Sequence, residues 1–250
     1  MDVRVQGRGP TAPFLAAKDR FETRYDVSLP VHVQVREDPD DRTWAGHYDD
    51  RHVLNISEQA ATSAMARELA IHEYAHMARY EEEHPSHVQS TDEALFLGLA
   101  GNSVERQRVA HCYQIANHMK DIYADDITFA VGTSDKLVSF FEASLAAAVS
   151  DRREPPRAGL TPVSTDADPD ITAVNAAFAL ALCERHGLVD DDHRLYDLAH
   201  AAGEDAPTIA VDSFKRHFLE LGDDPTESEY RKALVDVTRD YALDGERAAD

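Results

Sequence analysis

Lysine is scarce in this chain of 250 residues, occurring only at 18, 120, 136, 215 and 232 among 25 basic residues. No basic patch forms, which argues against binding nucleic acid or an anionic membrane. Cysteine is scarcer still. Cys112 and Cys183 both fall in apolar helical stretches, which excludes a disulfide scaffold and predicts buried, reduced thiols. Apolar runs are short. Ala94–Ala100 is typical, far below the roughly 20 residues needed to span a bilayer. The N-terminal segment lacks the basic and apolar regions of a signal peptide, so the expectation is a soluble, cytoplasmic protein. There is no G-x-S-x-G string and no glycine-rich phosphate loop, which removes two common hydrolase and nucleotide-binding patterns.

What abounds is carboxylate. Forty-seven acidic residues give a net charge of −22, with runs at Glu37–Asp41 and Asp190–Asp192. Such a surface is similar to those of proteins from halophilic archaea. Near 1 M salt the Debye length is only about 3 Å, so self-repulsion is tolerable there. An acidic surface serving one basic partner is the alternative.

Residues 1–10 read as a flexible tail. Phe14, Leu15, Phe21 and Tyr25 are spaced as on an amphipathic helix over 11–26, which Ser28-Leu29-Pro30 breaks. Val31–Arg36 alternates and is β-branched, predicting a strand. Thr43–Tyr48 and His52–Ile56 predict two more, with His52–Ile56 as the edge. Ser57 can cap the helix that follows, and Pro85 marks its end. Residues 86–92 read as a loop. Further helices are expected over 93–99, 103–131, 135–151, 171–186, 190–202, 209–221 and 227–242. Four prolines make 152–170 the clearest linker. The expected domains are therefore 11–151 and a helical 171–250.

The run from Ser57 to Tyr80 has no Gly or Pro and contains His72-Glu73-Tyr74-Ala75-His76, an H-E-x-x-H string. On a helix, positions i and i+4 share a face. Two imidazoles so spaced can hold one metal ion, for which zinc is the usual occupant. Glu73 borders that face and is the candidate general base, taking a proton from a metal-activated water. A catalytic zinc site usually has three protein ligands. Downstream, Asn117, Asp121 and Asp125 share one helix face. Glu105 is a rival third ligand, as are His111 and His118.

The string Asp121-Ile122-Tyr123-Ala124-Asp125 resembles the E-x-x-x-D element that gluzincin metallopeptidases pair with H-E-x-x-H, which one subgroup carries as E-x-x-A-D. The prenyl-protein and heat-shock membrane proteases belong to that subgroup. The resemblance covers roughly 11–130, and the family's membrane-spanning helices have no counterpart here. It implies Asp121 as third zinc ligand and Asp125 as the carboxylate that orients a ligand histidine through its other N–H. Asp stands where the family has Glu. Its side chain is one methylene shorter, so the helix must approach closer, by up to roughly 1 Å, or bind through water.

Peptide hydrolysis also needs a donor for the developing oxyanion. Candidates are His118, Tyr80, and the set His193, Tyr196 and His200. Trp44, His47 and Tyr48 read as edge packing or groove lining. The expectation is thus an α+β, zincin-like minimal metallopeptidase core followed by a helical C-terminal region. Its substrate would be a peptide or unfolded protein, cleaved with Zn2+ held by His72, His76 and Asp121. A non-catalytic metal-binding regulatory protein and a hydrolase of non-peptide substrates are the alternatives.

Overall fold

The computed structural model describes residues 1–39, 42–132, 134–150 and 168–247. The fold is α+β, helix-rich, with one four-stranded sheet. The chain divides into two compact units: Met1–Gln89 with Lys120–Thr133, and Ser90–Met119 with Ser134–Asp250. This division is discontinuous and differs from the boundaries expected at 151 and 171. The expected linker falls mostly outside the described residues. Its last part is helical, with Asp168 capping the helix that begins at Pro169.

In the first unit, β1 (Val3–Gln6) precedes α1 (Ala12–Phe21) and β2 (Val31–Arg36). Next come β3 (Trp44–Tyr48), β4 (Arg51–Ser57), α2 (Glu58–Thr62), α3 (Ala66–Glu81) and α4 (Pro85–Val88). The strand order is β1-β2-β4-β3. β1 and β4 run parallel to β2, and β3 runs antiparallel to β4.

Two expectations are corrected here. Residues 1–10 are not a loose tail, because Val3–Gln6 pairs in register with Val31–Gln34. The strand is stabilised by a partner distant in sequence, which local composition does not reveal. Gly7 then turns the chain at φ +95°, where a Cβ would meet the Val35 carbonyl oxygen at 2.4 Å. The second correction concerns the edge. β4 lies between β2 and β3, so the edge nearest the motif helix is β3. Pairing on both sides accounts for the near-complete burial of β4.

Apolar spacing builds the core. Phe14, Ala17 and Phe21 on α1 meet Ala70, Tyr74, Met77 and Ala78 on α3. Val31, Val33, Leu54 and Ile56 cover them from the sheet. Each large side chain so buried contributes about 1.5–3 kcal/mol. Ser57 caps α2 as expected, its hydroxyl accepting the Ala60 N–H at 3.2 Å. The run from Ser57 to Tyr80 is nevertheless two helices, because Ser63 adopts an extended backbone between them. The predicted loop at 86–92 is also partly helical, as α4.

The second unit holds α5 (Thr91–Leu99) and the first half of α6 (Arg106–Val131). It continues with α7 (Asp135–Ser150), α8 (Pro169–His186), α9 (Arg194–Asp205), α10 (Val211–Leu219) and α11 (Glu227–Arg247). Helix α8 is buried nearly all round and is its hub. Ala176, Leu180 and Cys183 pack against Leu145, Leu195 and Ala199. Both cysteines are buried free thiols, pushed up to about 12 by desolvation. No helix among the described residues is long and apolar enough to cross a membrane.

Candidate metal centre

Helix α3 brings His72 and His76 to one face, and the last turns of α6 bring Asp121 and Asp125 against it. Ala124 and Ile127 of α6 are buried in the same core as Ala75 and Ala78 of α3. Arg79 Nε adds a hydrogen bond to the Tyr123 carbonyl at 3.0 Å.

The Nε2 atoms of His72 and His76 face each other at 3.1 Å. Asp121 Oδ1 lies 3.2 Å from His76 Nε2 and 3.7 Å from His72 Nε2. All three donor atoms fall within 4.8 Å of one another. Ligands at roughly 2.0–2.1 Å from a tetrahedral zinc would stand about 3.3 Å apart. The donor set therefore fits zinc both in chemistry and in spacing. It numbers three among the described residues. Glu105 lies in the second unit and Asp121 in the first. Asp121, not Glu105, completes the cluster.

Asp125 Oδ1 accepts from His72 Nδ1 at 2.7 Å. Burial penalises the charged His72 ring. The charge and hydrogen bond of Asp125, with Asp121 and Glu73 behind, outweigh that penalty and hold its pKa at about 10. Glu73 is buried. Desolvation raises its carboxyl pKa and Asp121 adds to the effect, against opposing pulls from His76, His72 and the Ala45 backbone N–H.

His76 is oriented differently. Its Nδ1 lies 2.8 Å from Nε2 of His87, on α4. Glu83, at φ +53°, turns the chain sharply between α3 and α4. That strained backbone, costing roughly 1–2 kcal/mol, returns His87 to the face of α3. Sequence reasoning missed His87. The string His84-Pro85-Ser86-His87, placed just after the motif, was the available signal.

A second polar chain borders the site. Glu81, the last residue of α3, accepts from the backbone N–H groups of Ser28 and Leu29 at 2.7 and 2.9 Å. It also lies 3.0 Å from His52 Nε2, whose Nδ1 is 3.0 Å from Nδ1 of His47 across the β3–β4 pair. His47 stacks on Tyr80 with centroids 4.2 Å apart. Burial first, then His52, His76 and Lys120, push the His47 pKa down to about 4. Desolvation also lowers the Lys120 pKa. Sequence reasoning had placed His47 only as edge packing or groove lining.

The proposed oxyanion donors other than Tyr80 lie in the second unit. His118 meets Asn175 at 2.8 Å and stacks on Phe178. His193 caps α9, and Tyr196 donates to Glu184 at 3.2 Å. His200 is exposed and pairs with Glu204.

A family model described as "Family of unknown function (DUF5781)" matches residues 1–243. No curated protein and no solved structure matches the chain significantly.

Proposed function

We propose that this chain, which belongs to the DUF5781 family, is a zinc-dependent peptidase with a zincin-like core in its first unit. The observation that carries the reading is the convergence of His72, His76 and Asp121 beside the buried Glu73. These three residues would hold the ion. When bound, zinc supplies Lewis acidity, lowering the pKa of water and polarising the scissile carbonyl.

The protein's own groups do the rest. Glu73 takes a proton from the attacking water and returns it to the leaving amine. Burial keeps its carboxyl pKa above the ordinary range, closer to that of the group it must protonate. The Ala45 backbone N–H, on β3, holds its carboxylate. Alternate residues of an antiparallel strand face away from the paired neighbour. The outward groups of Ala45 thus mark the side of β3 on which an extended polypeptide would add as a strand. Trp44 and Tyr48 flank Gly46 there, and both are about half exposed. An open strand edge suits a polypeptide better than a small molecule, which would call for a closed pocket.

The test is zinc content together with hydrolysis of an unfolded polypeptide, both in high-salt buffer. About one zinc per chain, with activity abolished but zinc kept in Glu73→Gln, supports the peptidase. A wild type that takes up no added zinc overturns it. So does a Glu73→Gln variant as active as wild type.

A further inference from the structure

One histidine of the metal cluster leans on a carboxylate, but the other leans on a chain of two histidines and a serine whose polarity can be read from its far end. His84 caps α4, its Nδ1 accepting the backbone N–H of Ser86 at 3.2 Å. A nitrogen that accepts carries no proton, so His84 is bare at Nδ1. The Ser86 hydroxyl, 2.7 Å from the same nitrogen, must then donate to it. Having spent its only proton, Ser86 Oγ can only accept from Nδ1 of His87, also at 2.7 Å. His87 therefore carries its proton on Nδ1. A neutral imidazole holds a single ring proton, so the Nε2 of His87, which faces His76, is a bare acceptor. The contact from His76 Nδ1 at 2.8 Å must then be a donation from His76. His76 is left with its lone pair on Nε2, the atom that faces His72 and Asp121.

We propose that His87 is a positioning residue for zinc, fixing His76 in the one tautomer that can ligate the ion through Nε2, with the direction imposed by the Ser86 backbone. The inference rests on the metal reading above. It adds that this ligand is preset by α4 without any carboxylate, whereas His72 is preset by Asp125. Ser86 is fully buried and His84 nearly so, which keeps water from breaking the chain. Groups that orient a metal-binding histidine commonly contribute about 10- to 100-fold to affinity.

The experiment is competition for zinc against a chelating indicator, in high salt, for wild type, His87→Ala, His87→Gln and Ser86→Ala. Thermal unfolding of each metal-free protein is followed in parallel. His87→Ala is expected to weaken zinc binding by about 10- to 100-fold. His87→Gln, whose side-chain carbonyl can accept from His76 Nδ1, is expected to recover most of that loss. Ser86→Ala is expected to fall between them. Wild-type affinity in His87→Ala overturns the proposal, as do equal losses in His87→Ala and His87→Gln with metal-free stability unchanged. If His87→Ala does not fold, Ser86→Ala decides, and wild-type affinity there overturns it. Absence of zinc binding by the wild type is a separate outcome, which overturns the metal reading and this proposal with it.

Discussion

Asp125 Oδ1 stands 2.7 Å from Nδ1 of His72, 53 residues earlier in the chain. Asp125 is buried, and its contact with Nδ1 leaves Nε2 of His72 facing His76 and Asp121. Asp125→Ala is expected to lower zinc affinity about 10- to 100-fold. Asp125→Asn, which keeps an acceptor oxygen at similar volume, should lose much less. Chelator competition measures both, and equal losses would show that charge rather than orientation is what Asp125 supplies.

Zinc should depend on Asp121 and not on Glu105. Elemental analysis is expected to find about one zinc per chain in Glu105→Ala and little in Asp121→Ala or His76→Ala. Retention in Asp121→Ala would move the third ligand elsewhere.

Glu73 should work against stability. Its folded-state carboxyl pKa is raised, first by burial, so the folded protein holds that proton more tightly than the unfolded chain. Above the raised pKa the charged carboxylate therefore disfavours folding. Metal-free Glu73→Gln is expected to resist denaturant better than wild type at neutral pH, with the gain fading as pH falls through the carboxylate range. The same substitution should cost about 100-fold or more in hydrolysis. A Gln variant less stable at pH 7 would refute the account of Glu73.

Glu81 has the opposite sign. Burial acts against its charge, but the N–H groups of Leu29 and Ser28 and the ring of His52 prevail, and its pKa is lowered. Its stabilisation is present above the unfolded-state value near 4.5 and is lost as pH falls through the lower folded value. Glu81→Gln is expected to cost about 1–3 kcal/mol in urea unfolding at pH 7. The gap to wild type should shrink in acid, and a gap constant to low pH would exclude this cause.

Salt should stabilise the chain as a whole. With a net charge of −22, screening from about 0.1 M to about 1 M shortens the Debye length from roughly 10 Å to roughly 3 Å. The melting temperature is expected to climb across that range. A flat or falling response would remove the likeness to high-salt proteins.

The motif histidines were legible because helical spacing is a local rule, and Asp121 was singled out by the resemblance of its string to E-x-x-A-D. His72 and His76 share a face of α3 wherever the helix is placed, and the Asp121–Asp125 pair obeys the same geometry. His87 was not legible, since its role depends on the left-handed turn at Glu83, and a glutamate does not advertise positive φ. Val3–Gln6 was missed for a related reason, as four residues become a strand only when β2 is beside them. The edge was misassigned because sequence order placed β4 next to α3, whereas the parallel pairing of β2 with β4 leaves β3 outermost.

Helix α6 has a consequence for how this protein can be divided. Its last turns carry Asp121 and Asp125 in the first unit, while its earlier turns are fixed in the second. There Arg108 donates to the Tyr241 carbonyl at 2.7 Å and Gln114 to Asn175 at 2.9 Å. A gene cut at the proline-rich stretch after residue 151 would spare His72, His76 and Asp121 and still strip α6 of the partners that hold its first half. The unit that carries the candidate site shares α6 with the second unit and is expected to fail as a separate module. The family match, over residues 1–243, likewise spans both units.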